Sequence, residues 1–127
     1  MTTVIDPAGT PIPVFNKNGA TMVNVTPNGT VRLGATEIPN LSGLTIALVD
    51  TDVSNTAVKL PSNGDIGDVI EVYCLNGSHD VKIYAPDSQY IGASATVVNG
   101  DTTAIGFKAA VFRRIAIDRW AILRSGN

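Results

Sequence analysis

The sequence has little of what catalytic and metal-binding proteins normally need. Its 127 residues include one cysteine and one histidine, and 16% of them are charged, against about 25% in a typical soluble domain. A single cysteine excludes an intrachain disulfide framework, and one histidine with one cysteine cannot form a standard zinc site within one chain. The sequence also lacks the glycine-rich loops GxGxxG and GxxxxGK[ST], so we expect no cofactor.

Positive charge is scarce as well. The net charge is −2, which offers no basic surface for DNA, RNA or an anionic membrane, so we expect neither nucleic acid nor a membrane as a partner. Arg113, Arg114, Arg119 and Arg124 gather near the C-terminus, but neighbours in a strand point to opposite faces and make a poor phosphate site.

Long hydrophobic runs are missing too. The opening residues 1–7 have neither the basic region nor the apolar run of a signal peptide. The longest apolar stretch, residues 44–49, is far too short to span a bilayer. We therefore expect a protein that is made in a cytoplasm and stays there, or leaves by a route other than ordinary secretion.

The residues that are abundant favour strands. Val, Ile and Thr are each more frequent than Leu, the commonest helix former, and β-branched side chains suit a pleated, half-buried surface. No segment sustains the apolar periodicity of an amphipathic helix. Five Asn-Gly pairs, a strong signal for hairpin turns, separate apolar runs of strand length. We predict an all-β protein: a small antiparallel β-sandwich or barrel of the jelly-roll type.

The distribution of proline and glycine suggests two parts. Before residues 39–55 the chain is dense in both and its apolar runs are short, and after them the runs are longer. We predict an extended N-terminal arm or small β-meander over residues 1–48 and a principal β-domain over residues 49–127. One continuous barrel is the alternative.

Single residues with chemical potential do not form a catalytic set. His79 lies between Ser78 and Asp80 on a predicted turn, where adjacent residues cannot supply the geometry of a catalytic triad. Cys74 lies within an apolar strand and is interpreted as an inert buried thiol. Asp65 and Asp68 only partly resemble a calcium loop, so they are interpreted as turn residues, with a structural cation as the alternative. We expect no enzymatic activity.

Several segments resemble small virion proteins of tailed bacteriophages. A Leu-Pro turn followed by Gly-Asp launches a Val-x-Val strand, a polar turn precedes a second short strand, and a tryptophan strand lies near the C-terminus. The segments that carry this resemblance are residues 4–14, 60–73, 76–80, 81–83, 85–87, 90–93 and 120–123. One departure is Ala93, which stands where such proteins often have a second glycine.

The resemblance implies a capsid decoration protein of the cement or head-fibre type. Such a protein is a homotrimer that binds the phage major capsid protein on the surface of the virion, after assembly in the host cytoplasm. The proline-rich arm is then the candidate for capsid contact. Its predicted contact residues are Val4, Ile5, Pro7, Pro11, Ile12, Pro13, Val14 and Phe15.

Two alternatives stay open. One is a trimeric tail-fibre or tail-spike module that carries receptor-binding loops. The other is a carbohydrate-binding β-module in which Tyr73, Tyr84, Tyr90 and Trp120 form a sugar platform. The scarcity of charge indicates that other chains cover much of the surface, although a sandwich that buries many aliphatic residues would show the same composition.

Overall fold

A computed structural model describes residues 2–5, 11–14, 20–76, 79–92, 102–103 and 109–125. These residues form strands, turns and loops, and none of them lies in a helix. No helix long and apolar enough to cross a membrane is therefore found in that part of the chain. The strands are β1 Thr2–Ile5, β2 Pro11–Val14, β3 Ala20–Val25, β4 Thr36–Glu37, β5 Leu44–Val49, β6 Ala57–Lys59, β7 Val69–Cys74, β8 Val81–Tyr84, β9 Tyr90–Ile91, β10 Thr102–Thr103, β11 Ala109–Ala116 and β12 Arg119–Ser125.

Successive strands from β3 to β8 alternate between two sheets. A six-stranded sheet has the order β3-β5-β7-β11-β12-β9, and a four-stranded sheet has the order β10-β8-β6-β4. Strands β1 and β2 form a separate antiparallel pair. Within the described residues, five of the nine strand pairings are parallel, including those of β3 with β5 and β5 with β7.

The parallel pairings arise because the chain winds as a coil. Ala20 pairs with Leu44, and Leu44 pairs in turn with Val69, so equivalent positions recur at a nearly constant interval along the chain. In the other sheet Thr36 pairs with Val58 at a similar interval. Each turn of the coil contributes one strand to each sheet, and we call such a turn a rung. The arrangement is a small β-solenoid of three rungs, which β10, β11 and β12 extend with antiparallel pairings.

The core lies between the two sheets and is almost entirely apolar. Alternate residues of β5 and β7 are buried, as expected for strands that present one side to the interior. Residues of β6 and β8 close the core from the opposite side. The buried cluster consists of Val25, Ile38, Ala47, Val49, Val58, Leu60, Ile70, Val72, Cys74, Val81, Ile83, Ala110, Phe112 and Trp120.

An apolar residue followed by proline marks the same corner of every rung. These dipeptides are Ile38-Pro39, Leu60-Pro61 and Ala85-Pro86, and the three apolar residues are fully or almost fully buried. The N–H of Ile38 donates to the carbonyl of Lys59 at 2.8 Å, and the N–H of Leu60 donates to that of Tyr84 at 2.9 Å. Proline then ends the strand because it has no N–H to continue the ladder.

The all-β prediction is confirmed, but the predicted antiparallel sandwich or barrel is not what the central strands form. Residues 30–33, which lie within the predicted N-terminal meander, contain no strand, and β3 pairs in parallel with β5. The turn at Asn28-Gly29 sends the chain to the opposite sheet, and parallel strands need such a crossover. The last two strands, β11 and β12, form an antiparallel hairpin.

The predicted boundary between residues 1–48 and residues 49–127 falls within the six-stranded sheet. The point between residues 48 and 49 lies inside β5, and β5 is hydrogen-bonded to β3 on one side and β7 on the other. β3 and β5 therefore share a sheet with β7, and residues on both sides of the predicted boundary contribute to one core.

Candidate functional site

A buried polar cluster holds three chain segments together at one corner of the coil. Asp68 lies directly before β7 and is 7% exposed. Its carboxylate accepts hydrogen bonds from the side chain of Asn40 at 2.9 Å and from the N–H groups of Asp65 at 2.8 Å and Gly43 at 3.2 Å. Asn40 and Gly43 belong to the connection between β4 and β5, so this carboxylate links successive rungs.

Arg114 joins the same corner from β11. It is 5% exposed, and its guanidinium donates to the carbonyl oxygens of Gly64 at 3.0 Å, Ala116 at 3.4 Å and Ile117. Its own backbone accepts from the N–H of Gly67 at 2.7 Å and donates to the carbonyl of Asp68 at 2.9 Å. The cation therefore fixes the connection between β6 and β7 against the last hairpin.

This cluster bears on the interpretation of Asp65 and Asp68 as turn residues. Three donors occupy the Asp68 carboxylate, and Asp65 takes part in the turn through its N–H. Within the described residues, no group of three His, Cys, Asp or Glu side chains lies close enough to hold a metal ion. The two aspartates shape the turn before β7, as the sequence interpretation favoured.

The Asp68 carboxylate makes the stability of the fold depend on pH. Burial by itself would raise the pKa of Asp68, but the hydrogen bonds from Asn40, Asp65 and Gly43 and the charge of Arg114 outweigh it and hold the pKa below the ordinary 3.8. Because the pKa is lower in the folded state, this stabilisation is complete above about pH 5 and is lost as the pH falls through the folded pKa.

We therefore expect Asp68→Asn to lower the free energy of unfolding by about 2 kcal/mol near neutral pH, because the amide cannot accept all three hydrogen bonds. Urea titrations of both proteins between about pH 7 and pH 3 measure this. The difference between them should shrink below about pH 4. A difference that stays constant with pH would show that the carboxylate charge is not responsible.

An open groove lies beside the connection between β5 and β6. Its volume is about 370 Å³, and it is lined by Thr30, Asp52, Val53, Thr56, His79, Asp80 and Lys82. The N–H of Ser54 and the side chain of Asn55 lower the pKa of Asp52 below 3.8, so this carboxylate is charged at neutral pH. The groove presents polar groups of both charges, with no arrangement of nucleophile and base among its lining residues.

The buried thiol is held by backbone groups. Cys74 is 1% exposed, and its Sγ donates to the carbonyl oxygens of Asn76 at 3.0 Å and His79 at 3.3 Å. The hydroxyl of Thr51 lies 3.6 Å from Sγ. These contacts hold Asn76 and His79, which follow β7, against the buried thiol, in agreement with the interpretation of Cys74 as a structural residue.

The aromatic residues proposed for a sugar platform do not come together. Trp120 is completely buried, and its indole N–H donates to Gln89 at 2.9 Å. Tyr73 and Tyr84 lie on the outer sides of different sheets, and the guanidinium of Arg119 lies over the ring of Tyr90 at 5.0 Å. The described residues therefore contain no shared aromatic surface of this kind.

The outer sides of the two sheets differ in character. On the four-stranded sheet, the outward residues Glu37, Lys59 and Tyr84 are polar, and Lys59 pairs with Asp87 at 3.8 Å. The outer side of the six-stranded sheet is mostly apolar, and we call it the apolar face. Its residues are Ala20, Met22, Asn24, Leu44, Ile46, Leu48, Val69, Glu71, Tyr73, Ala109, Val111, Arg113 and Ile115.

The predicted capsid-contact residues lie partly within the described chain. Val4 and Ile5 are in β1, while Pro11, Ile12, Pro13 and Val14 are in β2, and the two strands pair from Thr2↔Val14 to Ile5↔Pro11. Pro7 and Phe15 lie outside the described residues.

The two prolines of β2 determine which of its edges can bond to another strand. Pro11 and Pro13 lack N–H groups, so the doubly hydrogen-bonded pairs with β1 are those of Ile12 and Val14. The backbone groups of Pro11 and Pro13 then lie on the outer edge of β2, and this edge has no N–H donor at either position. A strand added to this hairpin therefore bonds to β1.

No protein-family model matches the sequence, and neither the curated proteins nor the solved structures contain a match to it.

Proposed function

We propose that this protein is a structural virion protein of a tailed bacteriophage: a capsid decoration, or cement, protein that binds as a homotrimer to the assembled head and stabilises it. The observation that carries the proposal is the apolar face, because a sheet side rich in Leu, Ile and Val favours contact with other protein chains. The motif resemblance supplies the class of assembly. The proposed place of the protein is the capsid surface, after assembly in the host cytoplasm.

The mechanism is mass action. A protein that binds the assembled shell and not its separate subunits stabilises the shell by RT ln(1 + [L]/Kd) for each site. Three linked copies add avidity, because the second and third contacts form within one complex. A coil whose rungs are tied by buried polar groups suits this role, since a rigid body loses little conformational freedom on binding.

The N-terminal hairpin is the proposed grip on the phage major capsid protein. Its predicted contact residues are the eight named above, from Val4 to Phe15. The outer edge of β1 keeps the N–H groups that the prolines remove from β2, so an extended capsid segment adds to β1.

We expect the purified protein to sediment with undecorated capsids assembled from the major capsid protein of the same genome, and to raise their thermal stability. Ile12→Asp should weaken binding, because it places a charge in the proposed contact. Val53→Asp is the matched control, since Val53 is 81% exposed and far along the chain from the hairpin. The proposal would be refuted if the genome that encodes this protein had no gene for a major capsid protein. It would also be refuted if no binding to the capsids were detected at a saturating concentration of the purified protein.

A second function is favoured by the polar groove beside Asp52 and His79. Its volume of about 370 Å³ falls in the range of small-ligand sites, which suits a receptor- or carbohydrate-binding module of a tail fibre or tail spike. Binding on a glycan array that is lost in Lys82→Ala would support this alternative over the decoration protein.

A further inference from the structure

We propose that the apolar face is the surface through which copies of this chain associate, with Glu71 of one copy against Arg113 of another. This inference deepens the proposed function, since it rests on the homotrimer and assigns its interface.

The first argument is the contrast between the two outer sheet sides. In β5 all three outward residues, Leu44, Ile46 and Leu48, are apolar, so this strand is largely apolar on both sides. Strands of that kind are typical of sheets that are covered on both sides. The polar residues of the four-stranded sheet are suited to water. The outer side of the four-stranded sheet is thus suited to contact with water, and the apolar face is suited to contact with another protein chain.

The second argument is the register, which makes the apolar residues continuous. Leu44 lies beside Val69, and Val69 lies beside Arg113. In the next row Met22, Ile46, Glu71 and Val111 are neighbours across four strands. Met22 is 60% exposed and Ile115 is 50% exposed, so apolar surface reaches both edges of this patch.

The third argument identifies the occupant through charge. Glu71 and Arg113 are the charged groups among the residues that define the patch, and they have opposite signs. Arg124 borders the patch beside Val111. The carboxylate of Glu71 accepts a hydrogen bond from Tyr73 at 3.0 Å. Within the described residues, the ion pair that the structure contains is Lys59 with Asp87, so neither Glu71 nor Arg113 has an ionic partner there.

In a ring of three copies, Glu71 of each copy meets Arg113 of the next, so every one of these charges is paired. A partner of unrelated sequence would need its own carboxylate and guanidinium at matching positions, whereas another copy carries them already. Complementary charges in an apolar interface set which partner is accepted and in which register. The two charges therefore favour further copies of this chain as the occupant of the apolar face.

The test begins with native mass measurement of the whole protein. We expect an oligomer for the natural sequence and a monomer for Ile46→Lys, with the dissociation constant raised about 100-fold or more. The introduced ammonium would be buried beside Glu71 and would compete with Arg113 of the other copy for its carboxylate. Far-UV circular dichroism should be unchanged. Met22→Lys on the exposed edge strand β3 is a second variant that the fold tolerates, and Val53→Lys is the matched control outside the patch.

A charge exchange tests the pairing itself. Glu71→Arg and Arg113→Glu should each weaken association, and the double variant E71R/R113E should restore it. Tyr73→Phe controls for the lost hydrogen bond and should associate normally. A double variant no better than the single ones would overturn the pairing of Glu71 with Arg113.

The test of self-association gives a result that is independent of whether the protein binds capsids. A natural sequence that is monomeric at every concentration, or an Ile46→Lys variant that still forms the oligomer, would overturn this inference even if the protein binds capsids. An oligomer that depends on the apolar face but ignores capsids would support it while refuting the decoration role.

Discussion

Replacing Gly64 by alanine should lower the free energy of unfolding by about 3–5 kcal/mol, a large effect for the addition of one methyl group. Gly64 has a φ of +118°, which is strained for any residue with a side chain. A Cβ built there would lie 1.6 Å from Nδ2 of Asn40 and 2.8 Å from Oδ2 of Asp68. The methyl group would therefore break the hydrogen bond that links Asn40 to Asp68.

Gly67→Ala provides a matched control for this variant. Gly67 has a φ of +102° in the same turn, but a Cβ there would have no neighbour within 4 Å. Its cost should be that of backbone strain alone, about 1–2 kcal/mol. Urea denaturation of the two variants gives the comparison. Equal losses would mean that the contact with Asn40 and Asp68 is unimportant.

Arg114→Met should lower the free energy of unfolding by a similar amount, about 3–5 kcal/mol, because each buried acceptor that loses its donor costs about 1–3 kcal/mol. The variant would leave the carbonyl oxygens of Gly64, Ala116 and Ile117 without their donor and take a positive charge away from Asp68. Methionine keeps much of the length and volume of the side chain, so the loss reports on polar contacts more than on packing.

Lys82→Met is the control for charge removal. Lys82 lies on the outer side of the four-stranded sheet, and its loss should change stability by less than about 0.5 kcal/mol. Thermal unfolding of both variants measures the difference. The double variant of Arg114→Met with Asp68→Asn should lose less than the sum of the two single losses, since the groups act as one network. Strictly additive losses would contradict that coupling.

Composition was enough to predict the all-β class, because an excess of Val, Ile and Thr favours strands wherever they pair. The predicted antiparallel pairing was wrong for the central strands, which pair in parallel. Asn-Gly marks a tight turn, and the sequence alone does not show whether the chain after it returns beside the strand it left or crosses to a second sheet. At Asn28-Gly29 it crosses.

A signal for the coil was nevertheless present. Pro39, Pro61 and Pro86 each follow a small or apolar residue that is buried, and they recur at nearly the same interval as the paired strands of successive rungs. A repeat of about 20 to 50 residues is typical of solenoids. Using the prolines only to divide the chain into two parts concealed this period.

The buried cluster was harder to predict. Alternation along β11 shows that Arg113 and Arg114 point to opposite sides, and the side with Val111, Arg113 and Ile115 has the more apolar residues. That pattern predicts that Val111, Arg113 and Ile115 face the core, but the buried residues of β11 include Phe112 and Arg114. Arg114 can be buried because carbonyl oxygens of other segments meet it, and the contact with Gly64 joins positions too distant in sequence to leave a local pattern.

The regular rungs also give the molecule a way to change its length. Duplicating residues 44–68, which span one repeat from Leu44 to the residue before its partner Val69, would insert a new layer with the same register on both sides. Each added layer would lengthen the body by about 4.8 Å, the distance between neighbouring strands. Tandem duplication would thus give longer solenoids in which the first and last rungs are unchanged.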